Sequence, residues 1–384
     1  MSVFYDEWDR RAPGSRRSLE RARMVRDRLG LTDPSIPILT VVGSKGKGTA
    51  ATHASAVLAA AGRTVVTVTS PALRGDRERI RVNGAAVSVA EFENLAERLS
   101  SVLSGLPAGT GHLSPSGLFT LAGVLHATTV GADLLVLEAG MGGRSDEVSL
   151  FPPTVVAVTE IFAEHVGVLG ADPPEIAREK AGVAGPATRA LVTLPQTPEV
   201  RAAMDEVTPN PRLTWEITPS SAGWERNAEL GRAAARRLLR LLGIPRPETV
   251  PPVRLPGRLS FHPIPGGELL ADCAISRTGV AVALATARRR WDTIDRVLLC
   301  LPDHKDLDGA IGELAGLPVT FVRLPYAHLR FERPVPWPVV EADELALPRG
   351  RVLALGTVYF IGRVLALADV DTERLFTVDH VRPM

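Results

Sequence analysis

The stretch 43-GSKGKGTA-50 packs three glycines, two lysines and a threonine into eight residues. Glycines let a backbone turn tightly and bring its N–H groups close to an anion. The apolar run Ile38–Val42 before it reads as a strand. The Ala-rich run Thr49–Ala61 after it reads as a helix closed by Gly62. A strand, a Gly-rich turn and a helix form the context a phosphate-binding loop requires, and the helix N-terminus adds partial positive charge. In that reading Gly43, Gly46 and Gly48 form the cradle for ATP and Lys47 reaches its β- and γ-phosphates. The Thr49 hydroxyl is placed for Mg2+. The spacing is G-x-x-G-K-G-T rather than the commoner G-x-x-x-x-G-K-[ST], so the competing reading is a plain Gly/Lys turn.

A triphosphate needs a metal, and one hydroxyl does not hold it. Glu138 closes the apolar run Leu134–Glu138, just before 139-AGMGGRSD-146. A carboxylate at the C-terminal end of a parallel strand lies where such sheets bind ligands. Gly140, Gly142 and Gly143 suggest backbone close to a ligand. His165 follows the run Val155–Thr159, so three strand ends could deliver Thr49, Glu138 and His165 to one cation, although imidazole is an unusual ligand for Mg2+. In 172-DPPEIAREKAGVAG-185, Asp172 is placed as a helix cap, Pro173 at the first helical position and Glu175 three residues after the cap. Lys180 ends this helix before Gly182, where a cation complements the helix C-terminus.

The elements that must position these residues alternate along the chain. Thr64–Thr69 and Ala190–Leu194 read as further buried strands, giving an α/β fold with a largely parallel sheet. A helix with an Asn at its start covers residues 227–243, and the proline-dense 244-IPRPETVPPVRLPGR-258 reads as a linker. The alternation then resumes. Strands are expected over Glu268–Asp272, Val297–Leu301, Val319–Leu324 and Val352–Leu355, with helices from Thr278 and Asp306. The expected division is a domain over residues 1–246 and a smaller one over residues 247–384.

Composition narrows the function classes. The 384 residues are 45% hydrophobic and 23% charged, the profile of a soluble globular protein. A net charge of +1 gives no global attraction to nucleic acid or anionic membrane. No apolar run is long enough to span a bilayer, and the N-terminus lacks a secretory h-region. Two cysteines, Cys273 and Cys300, make neither a disulfide framework nor a zinc cluster, which fits a reducing cytoplasm. In 15-SRRSLERARMVRDRLG-30, Leu19, Ala22, Val25 and Leu29 recur at helical spacing, so the arginines are expected on the wet face of a helix ending at Gly30.

Taken together, 41-VVGSKGKGTAATHASAVLAAAG-62, 78-ERIRVNG-84, 134-LLVLEAGMGGRSD-146, 176-IAREKAG-182, 255-LPGR-258 and 356-GTVYFIG-362 resemble the folylpolyglutamate synthase/dihydrofolate synthase family of the Mur ligase superfamily. The resemblance implies a Mur-ligase-like fold: an N-terminal P-loop ATPase domain with a mainly parallel sheet and a smaller C-terminal Rossmann-like domain. It implies ATP-dependent amide formation, in which a substrate carboxylate becomes an acyl phosphate that an amino acid amine then attacks. The partners implied are a small carboxylic acid, folate-like or other, and an amino acid, acted on by a monomer. Lys47, His165 and Lys180 fit catalytic positions, and Thr49, Glu138 and His165 fit positions that place magnesium. Lys180 fits a lysine that family members often carry as a carbamate. Asn227 fits a position near adenine, Arg258 one near the phosphates and Asp272 one near the ribose.

Several positions depart from the family pattern. The loop before 78-ERIR-81 usually reads S-P-H-L, and here Ala72 replaces the histidine. A signature close to D-G-A-H-N-P is here 272-DCAISR-277, which keeps Asp272 but has Ile275 for the histidine and Ser276 for the asparagine. Isoleucine neither donates a hydrogen bond nor carries a proton. His304 is a nearby candidate for the lost role. Lys45 replaces an Asn, and Glu164 an Asp. The readings that follow are a divergent folate enzyme, the same ligase chemistry on another carboxylic acid in specialised biosynthesis, or a nucleotide-binding relative that does not ligate.

Overall fold

The computed structural model describes residues 3–12, 14–107, 111–221, 223–326 and 329–378. The chain divides into two compact units. One comprises Met1–Pro71, Arg77–Val253 and the residues from Glu373 onward; the other comprises Ala72–Asp76 and Arg254–Thr372. This division departs from the 246/247 boundary in three places. Residues 247–253 group with the first unit, five residues around Leu73 group with the second, and the chain re-enters the first unit after Thr372. Composition marks a proline-rich connection, but not on which unit its ends pack.

The first unit carries strands β1 (Ile38–Val42), β2 (Val65–Val68), β3 (Ile80–Val82), β4 (Ala85–Ala86), β5 (Leu134–Glu138), β6 (Val155–Val158), β7 (Ala190–Thr193) and β8 (Thr214–Glu216). They form one sheet in the order β4-β3-β2-β5-β1-β6-β7-β8. The pairs from β2 to β8 are parallel, and β3 and β4 add an antiparallel edge. Every residue of β1 and β5 is buried, the mark of parallel strands covered on both faces. Helix Pro115–Thr129 is buried from Gly117 through Ala127 and therefore lacks an amphipathic period. Stacked Phe4, Phe92 and Phe119 anchor this side of the core.

The order β5-β1-β6 has a functional consequence. The chain leaves β1 towards β2 on one side, and β6 follows β5 on the other side of β1. The C-terminal ends of three strands far apart in sequence are thereby neighbours. Val41 pairs with Glu138 and Val42 with Val158. This is the topological switch point at which open α/β sheets bind ligands.

The second unit has strands β9 (Ser260–Ile264), β10 (Gly267–Asp272), β11 (Arg296–Cys300), β12 (Val319–Arg323), β13 (Val339–Glu341) and β14 (Gly350–Gly356), in the order β13-β12-β11-β14-β10-β9. Only β9 is antiparallel to its neighbour. Alternating residues feed opposite faces: Leu270, Val297, Leu299 and Leu353 pack on one, and Leu269, Leu298, Cys300 and Val352 on the other.

The N-terminal helix runs Leu19–Arg28, with Ser18 accepting a hydrogen bond from the Arg21 N–H. The arginines of residues 15–30 do not all face water. Arg17, Arg21 and Arg26 are half-buried. Arg21 donates to Pro107 O at 3.0 Å and pairs with Glu7. Arg26 donates to Leu150 O at 3.3 Å. The helical period places Ala22 and Val25 inward correctly, but long arginine stems reach from the flanks to carbonyls on other elements. No helix among the described residues is long and apolar enough to cross a membrane.

Candidate functional site

The Gly-rich loop leaves β1 with Gly43 at φ 126°. A Cβ at that position would collide with the Thr159 hydroxyl just beyond β6. Gly46, at φ 82°, immediately precedes helix Lys47–Ala60, and a Cβ there would run into the Asn227 side chain. Both positions therefore require glycine, through left-handed backbone and close approach together. The loop is tied to the segment after β6. Ser44 N–H donates to Glu160 O (3.1 Å), the Ser44 hydroxyl donates to Phe162 O (3.2 Å), and Phe162 N–H donates back to that hydroxyl (3.1 Å). A loop fixed in this way can hold helix N-terminal donors in place for a phosphate without reordering.

Two ammonium groups meet at one carbonyl. Lys47 Nζ donates to Gly43 O at 3.1 Å and Ser44 O at 3.2 Å. Lys180 Nζ donates to the same Gly43 O at 2.8 Å and to Glu164 Oε1 at 2.8 Å. Lys180 is 1% exposed, so it does not sit at the helix end in solvent, complementing the C-terminus. It lies on the buried stripe Ile176, Ala177, Lys180 and Ala181 of helix Pro173–Ala181. Burial lowers its pKa, and the charge of Lys47 lowers it further, against the pull of Glu164. Asp172 caps this helix by accepting the Glu175 N–H, while Glu175 itself accepts from Ala171 N–H.

Glu138 ends β5 and is 6% exposed. Its Oε2 accepts the Ser70 N–H at 2.9 Å and lies 3.3 Å from where a Cβ on Gly48 would be. The carboxylate therefore sits beside the first turn of helix Lys47–Ala60, next to buried Thr49. Hydroxyl and carboxylate oxygens are the hard donors that magnesium takes. Among the described residues no group of three or more His, Cys, Asp and Glu is arranged to hold a metal. Magnesium in nucleotide sites uses one or two protein oxygens plus phosphates and water, so a pair without a cage fits it. His165 is exposed, at φ 48°, on a turn in which its carbonyl accepts from Val168 and Leu169 N–H.

The glycines after β5 serve packing against protein. A Cβ on Gly143 would collide with Lys180 O. Glu179, unmarked by any motif, gathers this loop by accepting Gly143 N–H (3.2 Å), Ser145 N–H (2.8 Å) and the Ser145 hydroxyl (2.6 Å). Arg17 braces it from the other side, donating to Met141 O (3.1 Å) and Asp146 (3.2 Å) and pairing with Glu147. Both bridges cross long stretches of sequence. The only local hint of Glu179 was its place beside Lys180.

Asn227 lies in the first turn of helix Glu225–Leu241, against Gly46, and is not that helix's cap. Arg258 and Asp272 belong to the second unit. Asp272 ends β10, accepts the Leu259 N–H at 2.7 Å, and has its pKa pushed up to about 6 by burial, opposed by that hydrogen bond and by Arg258. Ile275 packs on the core of that unit, and the Ser276 hydroxyl caps helix Arg277–Arg288. His304 is exposed on a turn. Lys45 is exposed too, its ammonium 6.0 Å from the centre of the Phe162 ring.

A Gly-rich loop at the switch point of a mainly parallel sheet, with a smaller Rossmann-like α/β unit after it, is a Mur-ligase-like fold. Folylpolyglutamate synthase from Thermotoga maritima superposes with a TM-score of 0.76 at 19% identity, covering 97% of each chain. Folylpolyglutamate synthase from Mycobacterium tuberculosis, complexed with ADP and AMPPCP, gives 0.75 at 21% identity over 93% of this chain and 96% of that one. In sequence, the dihydrofolate synthase/folylpolyglutamate synthase of Escherichia coli is 36% identical over 191 residues, 48% of this chain and 42% of that protein. The chain spans less than half the length of such curated relatives. No family model matches. The chain is thus similar in sequence to dihydrofolate synthase/folylpolyglutamate synthases over just under half its length, and similar in fold to folylpolyglutamate synthases over nearly all of it.

Proposed function

We propose that the protein is an ATP-dependent, ADP-forming ligase that joins a carboxylic acid to the amine of an amino acid, with a folate-type acid and glutamate as the first pair to test. The observation that carries this reading is the convergence of Lys47 and Lys180 on Gly43 O, with Glu138 beside the same helix turn. A carboxylate is a poor acylating group because oxide leaves badly. Its oxygen attacks the γ-phosphorus of ATP, the bond to the bridging oxygen breaks, and ADP departs. The amine nitrogen then attacks the acyl carbon, phosphate leaves, and the amine proton passes to solvent. Lys47 clamps the phosphates in this scheme, and the loop amides hold them in line. Magnesium, when bound, neutralises phosphate charge; the Thr49 hydroxyl and the Glu138 carboxylate would hold it, with His165 as the further position suggested by the resemblance.

Lys180 is proposed as the carbamate-bearing lysine. Unmodified Lys180 is the ammonium paired with Glu164; the neutral amine is the form that adds CO2 and loses a proton, and burial together with Lys47 raises the share of that form. The nucleotide roles of Asn227, Arg258 and Asp272 rest on the resemblance, with Asn227 also supported by its contact with Gly46. A monomer in a reducing cytoplasm completes the reading.

A second reading, the same chemistry on a non-folate acid, is favoured by Ile275 and Ser276. Where the family carries an imidazole and a carboxamide, this chain uses packing and a helix cap. The test is ADP and phosphate release from purified protein with Mg2+, ATP, panels of acids and amino acids, and product masses. Dihydropteroate with glutamate should give a product one glutamyl unit heavier; turnover on another acid alone selects the second reading. Release that never depends on an acid and amine pair sinks both. Lys47→Ala should abolish turnover, and near wild-type activity would remove the phosphate assignment.

A further inference from the structure

At the β8 edge of the first sheet, four arginines surround an apolar hollow. The cavity, about 220 Å3, is floored by Val192, Ile217 and Ala233, walled by Trp215, and rimmed by Arg236, Arg237, Arg240 and Arg246. Trp215 is 48% exposed, and the Arg237 guanidinium lies 4.2 Å from its ring centre. No carboxylate lines the hollow. The nearby acids are engaged elsewhere: Glu216 pairs with Arg201 at 3.5 Å, and Glu229 accepts from Ser220 and Ser221. Among the described residues, none of the four rim arginines takes part in an ion pair, and Arg237 Nε is buried without a partner.

Like charges held together without counter-charge repel one another, and helix Glu225–Leu241 brings three of them to one place at positions 236, 237 and 240. Guanidinium forks match carboxylate and phosphate oxygens, and the apolar floor accepts a short carbon skeleton. We propose that this hollow is a binding site for a compact organic anion with two or more negative charges, held by Arg236, Arg240 and Arg246 over the Trp215 wall. A hollow of about 220 Å3 with an apolar floor has the size of a small molecule rather than of a nucleic acid strand. Carboxylate and phosphate share this chemistry. The inference does not rest on the ligase reading.

Isothermal titration of the full chain with citrate, and separately with inorganic phosphate, tests it. The proteins compared are the wild type, Lys47→Ala, and the double variant Arg236→Gln/Arg240→Gln. Both arginines are exposed, and glutamine is nearly as good a helix former, so the double variant should fold. At least one probe should bind the wild type and Lys47→Ala alike, at least tenfold more weakly in the double variant, and more weakly in added NaCl. The arm that binds identifies the oxyanion. Trp215 fluorescence should report the same titration, with the change lost in Trp215→Phe. Equal affinity in the wild type and the double variant, loss of binding in Lys47→Ala, or no heat from either probe overturns the proposal.

Discussion

Replacing Glu164 with glutamine removes a charge and almost no volume. It leaves Lys180, 1% exposed, beside Lys47 with no carboxylate at 2.8 Å. Breaking a buried pair by deleting one partner costs about 3–5 kcal/mol. Glu164 is 17% exposed and Lys180 keeps Gly43 O, so a cost at or just below the bottom of that range, about 2–3 kcal/mol, is expected. The cost depends on pH. Burial and Lys47 already hold the Lys180 pKa below its ordinary 10.5, and loss of Glu164 lowers it further. The unfolded chain then binds more protons than the folded one over a wider pH interval, so the stability deficit is full at neutral pH. It closes as pH rises through the wild-type folded pKa, where the lysine is neutral with or without a partner. Urea unfolding at pH 7 and near pH 10 measures both halves. Lys180→Met should cost less, about 1 kcal/mol, because the carboxylate left behind still reaches water. A Glu164→Gln protein as stable as wild type at pH 7, or a deficit that does not change with pH, would refute the account of Lys180 as a buried ammonium dependent on Glu164.

Three further outcomes follow from the geometry. Gly43→Ala should lower stability by at least about 1 kcal/mol through left-handed strain and weaken nucleotide binding through the collision with Thr159; tight binding of AMPPCP by this variant would speak against the loop assignment. Arg17→Ala should destabilise the protein by about 3–5 kcal/mol, because it leaves buried Asp146 and Glu147 without their cation. The Glu147 pKa is already raised by burial and by Asp146, and loss of Arg17 raises it further. The deficit should therefore grow as pH rises past the ordinary carboxylate range, read by urea unfolding at pH 5 and pH 8. Burial pushes the thiols of Cys273 and Cys300 up to about 11 and about 12, but Cys273 is only half-buried, so Cys300 is the one that should resist a thiol reagent at pH 8 until denaturant is added; fast labelling of Cys300 in the folded protein would contradict that packing.

Much of this chain is written locally. Largely apolar runs marked β1 and β5 to the residue, and Asp172-Pro173 marked the start of the helix that carries Lys180. The strand, Gly-rich loop and helix around Gly43 to Thr49 were legible from local sequence despite the unusual spacing. Elements with no local contrast escaped. The hairpin of β3 and β4 is three and two residues long, helix Pro115–Thr129 is buried on every side, and edge strand β8 has only three residues. The roles of charged side chains escaped for another reason. Lys180 looked like a helix-end cation, Arg17 like a solvated arginine, and Glu179 like nothing in particular. Each acts on a partner more than thirty residues away, Lys180 on Gly43, Arg17 on Asp146 and Glu179 on Ser145. Hydrophobic period and turn chemistry depend on neighbours along the chain, so the amino-acid order carries them directly. Which strand lies beside β1 depends on long-range pairing and burial, and it is the order β5-β1-β6 that brings Glu138, the Gly43 loop and the Thr159 segment to one end of the sheet.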